Sequence, residues 1–388
     1  MGQKTPLLDT VCEFAFPRFA GTEGERRAGE MVAERLRAAG LEVTREPIRV
    51  SRSAYPNLRA LAHGLGALGV VVLAATATTG NPLPGVFLAA ALLAALLGGA
   101  KWHRSLEGIF DTGSMVDSAN FTARRPGRGG RPRIVVVMAH IDTKSARWPT
   151  FLPVTLIGGA ALGTAALGVW CALAVALAWE PMAAGAAAVW GSVLAAMMIA
   201  PTMNRIGNES PGAMDNATGV SVLLEAARTF PTDPALADAE LLFVATGAEE
   251  IGLGGALRWI QTHESECPRD RTAVLNLDSV GVGRGVLGLD IHGGLPGGLR
   301  MTDAFRKAAV ASGVKARRIR VLPGVGVDTM PISSRGYSTV TLLGRVPGGA
   351  SVRIHTARDT AEHLCEAGLR DAATVLTELA RMAAKPVG

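Results

Sequence analysis

The first fifty residues alternate in ways that soluble elements require. Residues 23–40 set Ala28, Met31, Val32, Leu36 and Ala39 on one stripe with Arg and Glu opposite, which predicts an amphipathic helix. Residues 41–50 alternate apolar and polar, the pattern of a half-buried strand. The pattern then breaks. Residues 60–100 contain no Asp, Glu, Lys or Arg, and residues 148–204 contain only Glu180. A run of about 20 apolar residues crosses a bilayer as a helix, so each block predicts two spans. The first block turns at Gly80-Asn81-Pro82-Leu83-Pro84 and the second at Glu180-Pro181.

Between and after these blocks, strand and helix patterns alternate. Residues 133–140 are a continuous apolar run, as in a strand buried on both faces. Strands are also expected at 239–246, 272–277, 286–292, 317–321 and 338–343, with helices at 217–230, 253–263, 299–312 and 361–383. The expected fold class is α/β, with a mostly parallel mixed sheet covered by helices and four transmembrane helices inserted as two hairpins. The domain reading is a catalytic domain of residues 1–58, 105–147 and 205–388, hairpin one at 59–100 and hairpin two at 148–204.

Composition sharpens the membrane reading. Hydrophobic residues make up 48% of the 388 and charged residues 19%, and the excess sits in the two blocks. The formal charge of +6 is diffuse, and the Arg124–Arg125 and Arg128–Arg131–Arg133 runs are short, so nucleic acid is not expected as a partner. Arg45, Arg49, Arg52, Arg59, Lys101, Arg104, Lys144, Arg147 and Arg205 flank the blocks, while the hairpin tips carry no Lys or Arg. The positive-inside rule then puts the polar domain in the cytoplasm of a multi-pass protein of the inner or cell membrane. Trp102, Trp148 and Trp179 fall near span ends, as interfacial anchors do. The four cysteines show no close pairing, which suits a reducing compartment, and no cleavable signal peptide is expected at the N-terminus.

Candidate chemistry collects where the strands end. His140-Ile141-Asp142 closes the 133–140 strand, Glu249-Glu250 follows 239–246, and Asp278 follows 272–277. Asp215 precedes a helix, and His355 follows 338–343 after a short loop. Each alone has a plainer reading: a surface histidine, a helix cap, a solvated acid pair. Together they make a set of N and O donors of the kind zinc takes, and parallel sheets bind ligands beyond the carboxyl ends of their strands. His63, His103, His263, His292 and His363 sit on ordinary helix or strand positions or near an apolar block and are expected to be structural.

The order His-x-Asp, Met-Asp-Asn-Ala-Thr-Gly, Glu-Glu-x-Gly-x-x-Gly, Asp, and His-Thr-x-x-Asp-Thr resembles the di-zinc aminopeptidase family, whose superfamily includes leucyl aminopeptidases, glutamate carboxypeptidase-like enzymes and glutaminyl cyclases. The likeness covers about residues 5–50 and 115–385 and excludes the apolar blocks. It implies two Zn2+, or other divalent ions, held by His140, Asp215, Glu250, Asp278 and His355. By motif, His140, Asp215 and Glu250 resemble the ligands of one zinc, and Asp215, Asp278 and His355 those of the other, with Asp215 bridging. Glu249 resembles the general base and Asp142 the carboxylate that orients His140. The implied activity is a zinc-dependent hydrolase, a membrane-anchored aminopeptidase-type metalloprotease acting on peptides. The alternative is an amidase or glutaminyl-cyclase-type enzyme acting on a small amide.

Three departures bear on substrate choice. Met214 stands where the family often has an acid. Val327-Asp328-Thr329 stands for Ser-Asp-His, and neither Tyr55 nor Tyr337 falls clearly where an oxyanion-steadying tyrosine would. The second apolar block lies between His140 and Asp215 in the chain, so an amphipathic or membrane-associated substrate is expected.

Overall fold

The computed structural model describes residues 6–98, 107–108, 111–128, 132–289, 301–319, 326–345 and 352–385. Lys101, Trp102, His103, Arg104, Arg131 and His292, and the ends of the strands expected at 286–292 and 317–321, lie outside the described residues. The elements run α1 (Pro6–Phe14), α2 (Glu23–Ala38), β1 (Glu42–Ser51), α3 (Ala54–Thr76), α4 (Leu83–Gly98), β2 (Met115–Arg125), β3 (Ile134–His140), β4 (Ser145–Ala146), α5 (Phe151–Ala176) and α6 (Ala184–Ile199). They continue with β5 (Ile206–Gly207), α7 (Thr218–Thr229), β6 (Glu240–Thr246), α8 (Gly254–His263), β7 (Thr272–Asp278), β8 (Val286–Leu289), α9 (Met301–Ala311), β9 (Ala316–Ile319), α10 (Thr329–Ser333), β10 (Ser338–Gly344) and α11 (Glu366–Ala384). The chain divides into two compact units. One is Met1–Arg52, His103–Ala146 and Ile206–Gly388; the other is Ser53–Trp102 and Arg147–Arg205.

The first unit is built on an eight-stranded mixed sheet of order β1-β2-β6-β3-β7-β10-β8-β9. Its centre, β6-β3-β7-β10, is parallel, with His140 level with Thr246 and Leu343 level with Asp278. These strands are apolar because helices cover both faces. Val135, Val137, Phe243 and Leu275 pack on the side of α2, α7 and α11, while Val136, Met138, Val244 and Val274 pack against Trp259 and Ile260 of α8. The parallel centre brings four strand ends to one edge.

Strand β2 and helices α1 and α10 are not anticipated by the pattern. β2 carries Ser118, Asn120 and Thr122 among its buried positions, so no apolar period marks it. Tertiary partners satisfy two of those groups. The Ser118 hydroxyl donates to Glu25 at 2.6 Å, and the Asn120 amide donates to the Gly255 carbonyl at 2.9 Å and accepts the Gly247 N–H at 3.2 Å. Helix α11 begins at Glu366, later than the expected residue 361, because Ala361–His363 forms a separate 3-10 turn.

The second unit is apolar inside and out. Leu73, Ala74 and Ala77 of α3 and its C-cap pack with Leu167 and Cys171 of α5, and a side chain at Gly191 of α6 would press on Ala74 at 2.6 Å. Small residues at helix crossings let apolar helices approach closely. Leu162 is 75% exposed and Val189 66% exposed, so the outward faces are as apolar as the interior. A helix apolar all round belongs in a large core or a membrane.

Four spans were expected, and among the described residues three helices are long and apolar enough: Pro56–Thr76, Phe151–Ala176 and Ala184–Met203. The fourth, α4, runs for 16 residues as described. At about 1.5 Å per residue, the described part of α4 is about 24 Å long. α6 has the same length but extends through a 3-10 turn to Met203.

Gly255 tests the coupling between β2 and the loop after β6. A Cβ there would run into the Gly247 carbonyl oxygen and lie 2.7 Å from Asn120 Oδ1. Gly255→Ala is expected to destabilise the first unit by about 1–3 kcal/mol, the usual cost of overpacking. Chemical denaturation followed by Trp259 fluorescence would read it, and an unchanged midpoint would contradict it.

Candidate metal centre

The four central strand ends and the turn before α7 converge on Asp215. Asp215 Oδ1 lies 3.2 Å from His140 Nε2, and Oδ2 lies 3.0 Å from His355 Nε2. His355 Nε2 is also 3.2 Å from Glu250 Oε1. Two groups of potential ligand atoms result: His140, Asp215 and Asp278, and Asp215, Glu250 and His355. All five expected ligands are brought together, with Asp215 shared. The pairing differs from the motif-based expectation. Asp278, not Glu250, joins His140, and Glu250 joins His355. The register explains it: β3 and β7 are adjacent and parallel, so His140 and Asp278 end side by side.

The loops that carry the ligands are held by Asp142, in a role other than the motif gave it, and by groups that the motif roles left out. The Asp142 carboxylate accepts the N–H groups of Glu249 and Glu250, each at 3.0 Å. It therefore shapes the glutamate turn more directly than it orients His140, whose Nδ1 is 3.1 Å from the Asp142 backbone carbonyl and 3.6 Å from its carboxylate. The Asp359 carboxylate accepts the N–H of Met214 at 2.7 Å and of Asp215 at 3.1 Å. The Asn216 side chain accepts the N–H groups of Gly219 and Ser279 and donates to the Leu277 carbonyl, tying the Asp215 turn to the end of β7. Arg18 is fully buried and donates to backbone carbonyls of Ile141, Pro211 and Gly212, which flank His140 and Asp215. His355 itself sits at φ +61°, a conformation uncommon outside glycine, and its carbonyl accepts the Ala146 N–H at 2.7 Å.

Asp359 and Asn216 lie inside the motifs read from the sequence, so their positions were visible there and their roles were not. Arg18 carried no sequence signal. His263 lies between Glu46 and Glu266 and stacks on Trp259, and His363 pairs with Glu362. His63 meets the Met198 carbonyl in the apolar unit. Neither ligand group includes them. Tyr337 is committed elsewhere, its hydroxyl donating to the Cys267 carbonyl at 2.8 Å. Asp328 Oδ2 accepts the Thr246 hydroxyl, and Oδ1 has no partner among the described residues.

Burial and mutual repulsion set the electrostatics. Burial drives Glu249 well above the usual carboxylate range against the pull of His140, with Glu250, Asp328 and Asp278 adding repulsion. Burial, then the charge of Asp215, pushes Asp278 up to about 7. Asp215 goes the other way despite burial, because His140 and His355 hold its charge. Burial opposes the charged form of His355, but Glu250 and Asp215 raise it to about 9. Carboxylates that protonate for want of a counter-charge are groups a cation would relieve. Two imidazoles and three carboxylates are the N and O donors that zinc accepts, so the donor set and the charge deficit both fit a metal centre.

Comparisons with known proteins bear on the family and the fold. Residues 195–380 match the model described as peptidase family M28. Aminopeptidase YwaD of Bacillus subtilis (strain 168) is 32% identical over 172 residues, 43% of this chain and 37% of that protein, so the match spans little more than a third of the curated relative. A zinc aminopeptidase structure from Bacillus subtilis aligns with TM-score 0.58 at 17% identity, covering 98% of this chain and 94% of that one. A glutaminyl cyclase from Fimbriiglobus ruber aligns with TM-score 0.56 at 14% identity, covering 98% and 96%. The resemblance holds in sequence to peptidase family M28 over residues 195–380 and to an aminopeptidase over 43% of the chain, and in fold, across the chain, to a zinc aminopeptidase and a glutaminyl cyclase.

Asp359 offers a test that leaves the ligands in place. In Asp359→Asn one carboxylate oxygen becomes an NH2 facing a backbone N–H that it cannot accept. Zinc affinity is expected to fall about 10–100-fold, as for other supporting groups around metals. Competition against a fluorescent chelator would measure it, and an unchanged affinity would show that the Asp215 turn holds itself.

Proposed function

We propose that this chain is a membrane-anchored, aminopeptidase-type metallopeptidase whose polar unit lies in the cytoplasm and holds two zinc ions. The observation that carries the reading is the pair of ligand groups sharing Asp215. A single carboxylate with an imidazole on each oxygen is arranged to serve two cations. The M28 match over residues 195–380 supports the peptidase chemistry. The three long apolar helices and the arginines flanking the apolar blocks support the anchoring and the orientation.

Bound zinc would polarise the scissile carbonyl and acidify water at the site. The chain's own residues do the rest. Glu249 has its backbone N–H fixed on Asp142, and its burial favours holding a proton. It takes the proton from the attacking water and delivers it to the leaving amine. Asp142, Asn216, Asp359 and Arg18 keep the reacting groups in register without touching substrate. The second apolar block is inserted between Lys144 and Asp215 in the chain, which supports a peptide or amide substrate that is itself amphipathic.

A second reaction on the same scaffold, cyclisation of N-terminal glutaminyl peptides or hydrolysis of a small amide, is favoured by one observation. Tyr337 is tied to Cys267, so the one tyrosine with a described side chain is unavailable to steady an oxyanion in the peptidase manner. A library of N-terminal peptides, including glutaminyl ones, assayed on the purified full-length protein separates the two by product mass.

Glu249→Gln is expected to lower kcat by about 10²–10⁴-fold with zinc content unchanged. Full activity in that variant would remove Glu249 from the mechanism. The topology makes an independent forecast for cells. A membrane-impermeant thiol reagent added outside should label Ala183→Cys, at the exposed turn between α5 and α6, and should not reach the exposed Cys12. The reverse pattern would invert the orientation.

A further inference from the structure

Lys144 is a basic side chain at the centre that the chemistry above does not use. It lies two residues past Asp142, on the segment between β3 and β4. Its ammonium is ion-paired with Glu250 Oε2, and its backbone N–H donates to Glu250 Oε1 at 3.2 Å. The same Oε1 faces His355 Nε2. The Lys144 ammonium thus holds one Glu250 oxygen, while the other, which takes the Lys144 backbone N–H, faces His355 at the shared site.

The two ligand groups are unequal in this respect. Among the described residues, no lysine or arginine is paired with His140 or Asp278. Asp278 Oδ1 accepts only the neighbouring Ser279 hydroxyl. Arg18, the other buried cation nearby, spends its donors on backbone carbonyls. A fixed positive charge therefore stands beside the Asp215–Glu250–His355 group and not beside the other. Two like charges a few ångströms apart in a buried site repel strongly, even at an effective dielectric of about 20. The ammonium also neutralises part of the charge that Glu250 would offer an ion.

We propose that Lys144 ranks the two metal positions, so that His140, Asp215 and Asp278 hold the tightly bound ion and Asp215, Glu250 and His355 hold a weaker, exchangeable one. This rests on the metal-centre reading above. It makes Lys144 a positioning residue whose effect appears in ion stoichiometry, whatever substrate the enzyme takes.

Equilibrium dialysis of the full chain in detergent against Zn2+, with bound metal counted by atomic absorption, tests it. The wild type is expected to load in two steps separated by about tenfold or more. Lys144→Met should tighten the second step by about tenfold or more and leave the first in place, while Lys144→Arg should keep the separation. Asp278→Asn should abolish the tight step, and Glu250→Gln the weak one. Thermal melts of each variant identify any that unfold, and Lys144→Gln stands in for the Met variant if that one does. Two equal steps in the wild type would overturn the ranking. So would a folded Lys144→Met with its second step unchanged or weaker. A wild type that binds no zinc would overturn the metal centre itself, a result distinct from failure of the ranking.

Discussion

Several carboxylates are buried side by side at the end of one sheet, and the architecture of the polar unit follows from keeping them there. Asp215, Glu249, Glu250, Asp278, Asp328 and Asp359 would repel one another and draw protons if left to themselves. Two imidazoles, one ammonium and a set of backbone N–H groups oppose that repulsion, and divalent ions would complete the balance. The cost of burying so many acids explains why the supporting hydrogen bonds are numerous and why they reach across the chain: Asp142 to the glutamate turn, Asp359 to the Asp215 turn, Asn216 to the end of β7.

The sheet supplies the geometry that this balance needs. Four parallel strands in the order β6-β3-β7-β10 end at one edge, where β6, β3 and β7 deliver the glutamates, His140 and Asp278. Their apolar faces are buried by helices, so the strand ends cannot shift without disturbing the packing of Val136, Met138 and Val274 against α8. Arg18 adds a second constraint from the far end of the sequence. Its guanidinium replaces water for three carbonyls beside the ligand loops, and a lysine could not reach all of them with one ammonium.

The apolar unit obeys different physics. Its helices are as hydrophobic outward as inward, and their close crossings use Gly and Ala where a soluble bundle would use large side chains. The chain enters it twice, once after β1 and once after the short strand that follows Lys144, so the insertions interrupt the polar fold at connections and leave its sheet intact.

The sequence by itself determined what kind of protein this is: a set of N and O donors placed after apolar strand runs, and two apolar blocks whose single charge is Glu180. These signals are local, because a buried strand, an apolar span and a motif are all written in consecutive residues. Tertiary structure decided the rest. That His140 shares its site with Asp278 and not with Glu250 follows from the adjacency of β3 and β7, which no spacing in the chain encodes. β2 was hidden because its buried Ser118 and Asn120 are acceptable only once Glu25, Gly247 and Gly255 are folded against them. Arg18, Asn216, Asp359 and Lys144 acquired roles from partners that are for the most part distant in sequence. Among the described residues, three helices are long and apolar enough to span where four spans are read from composition.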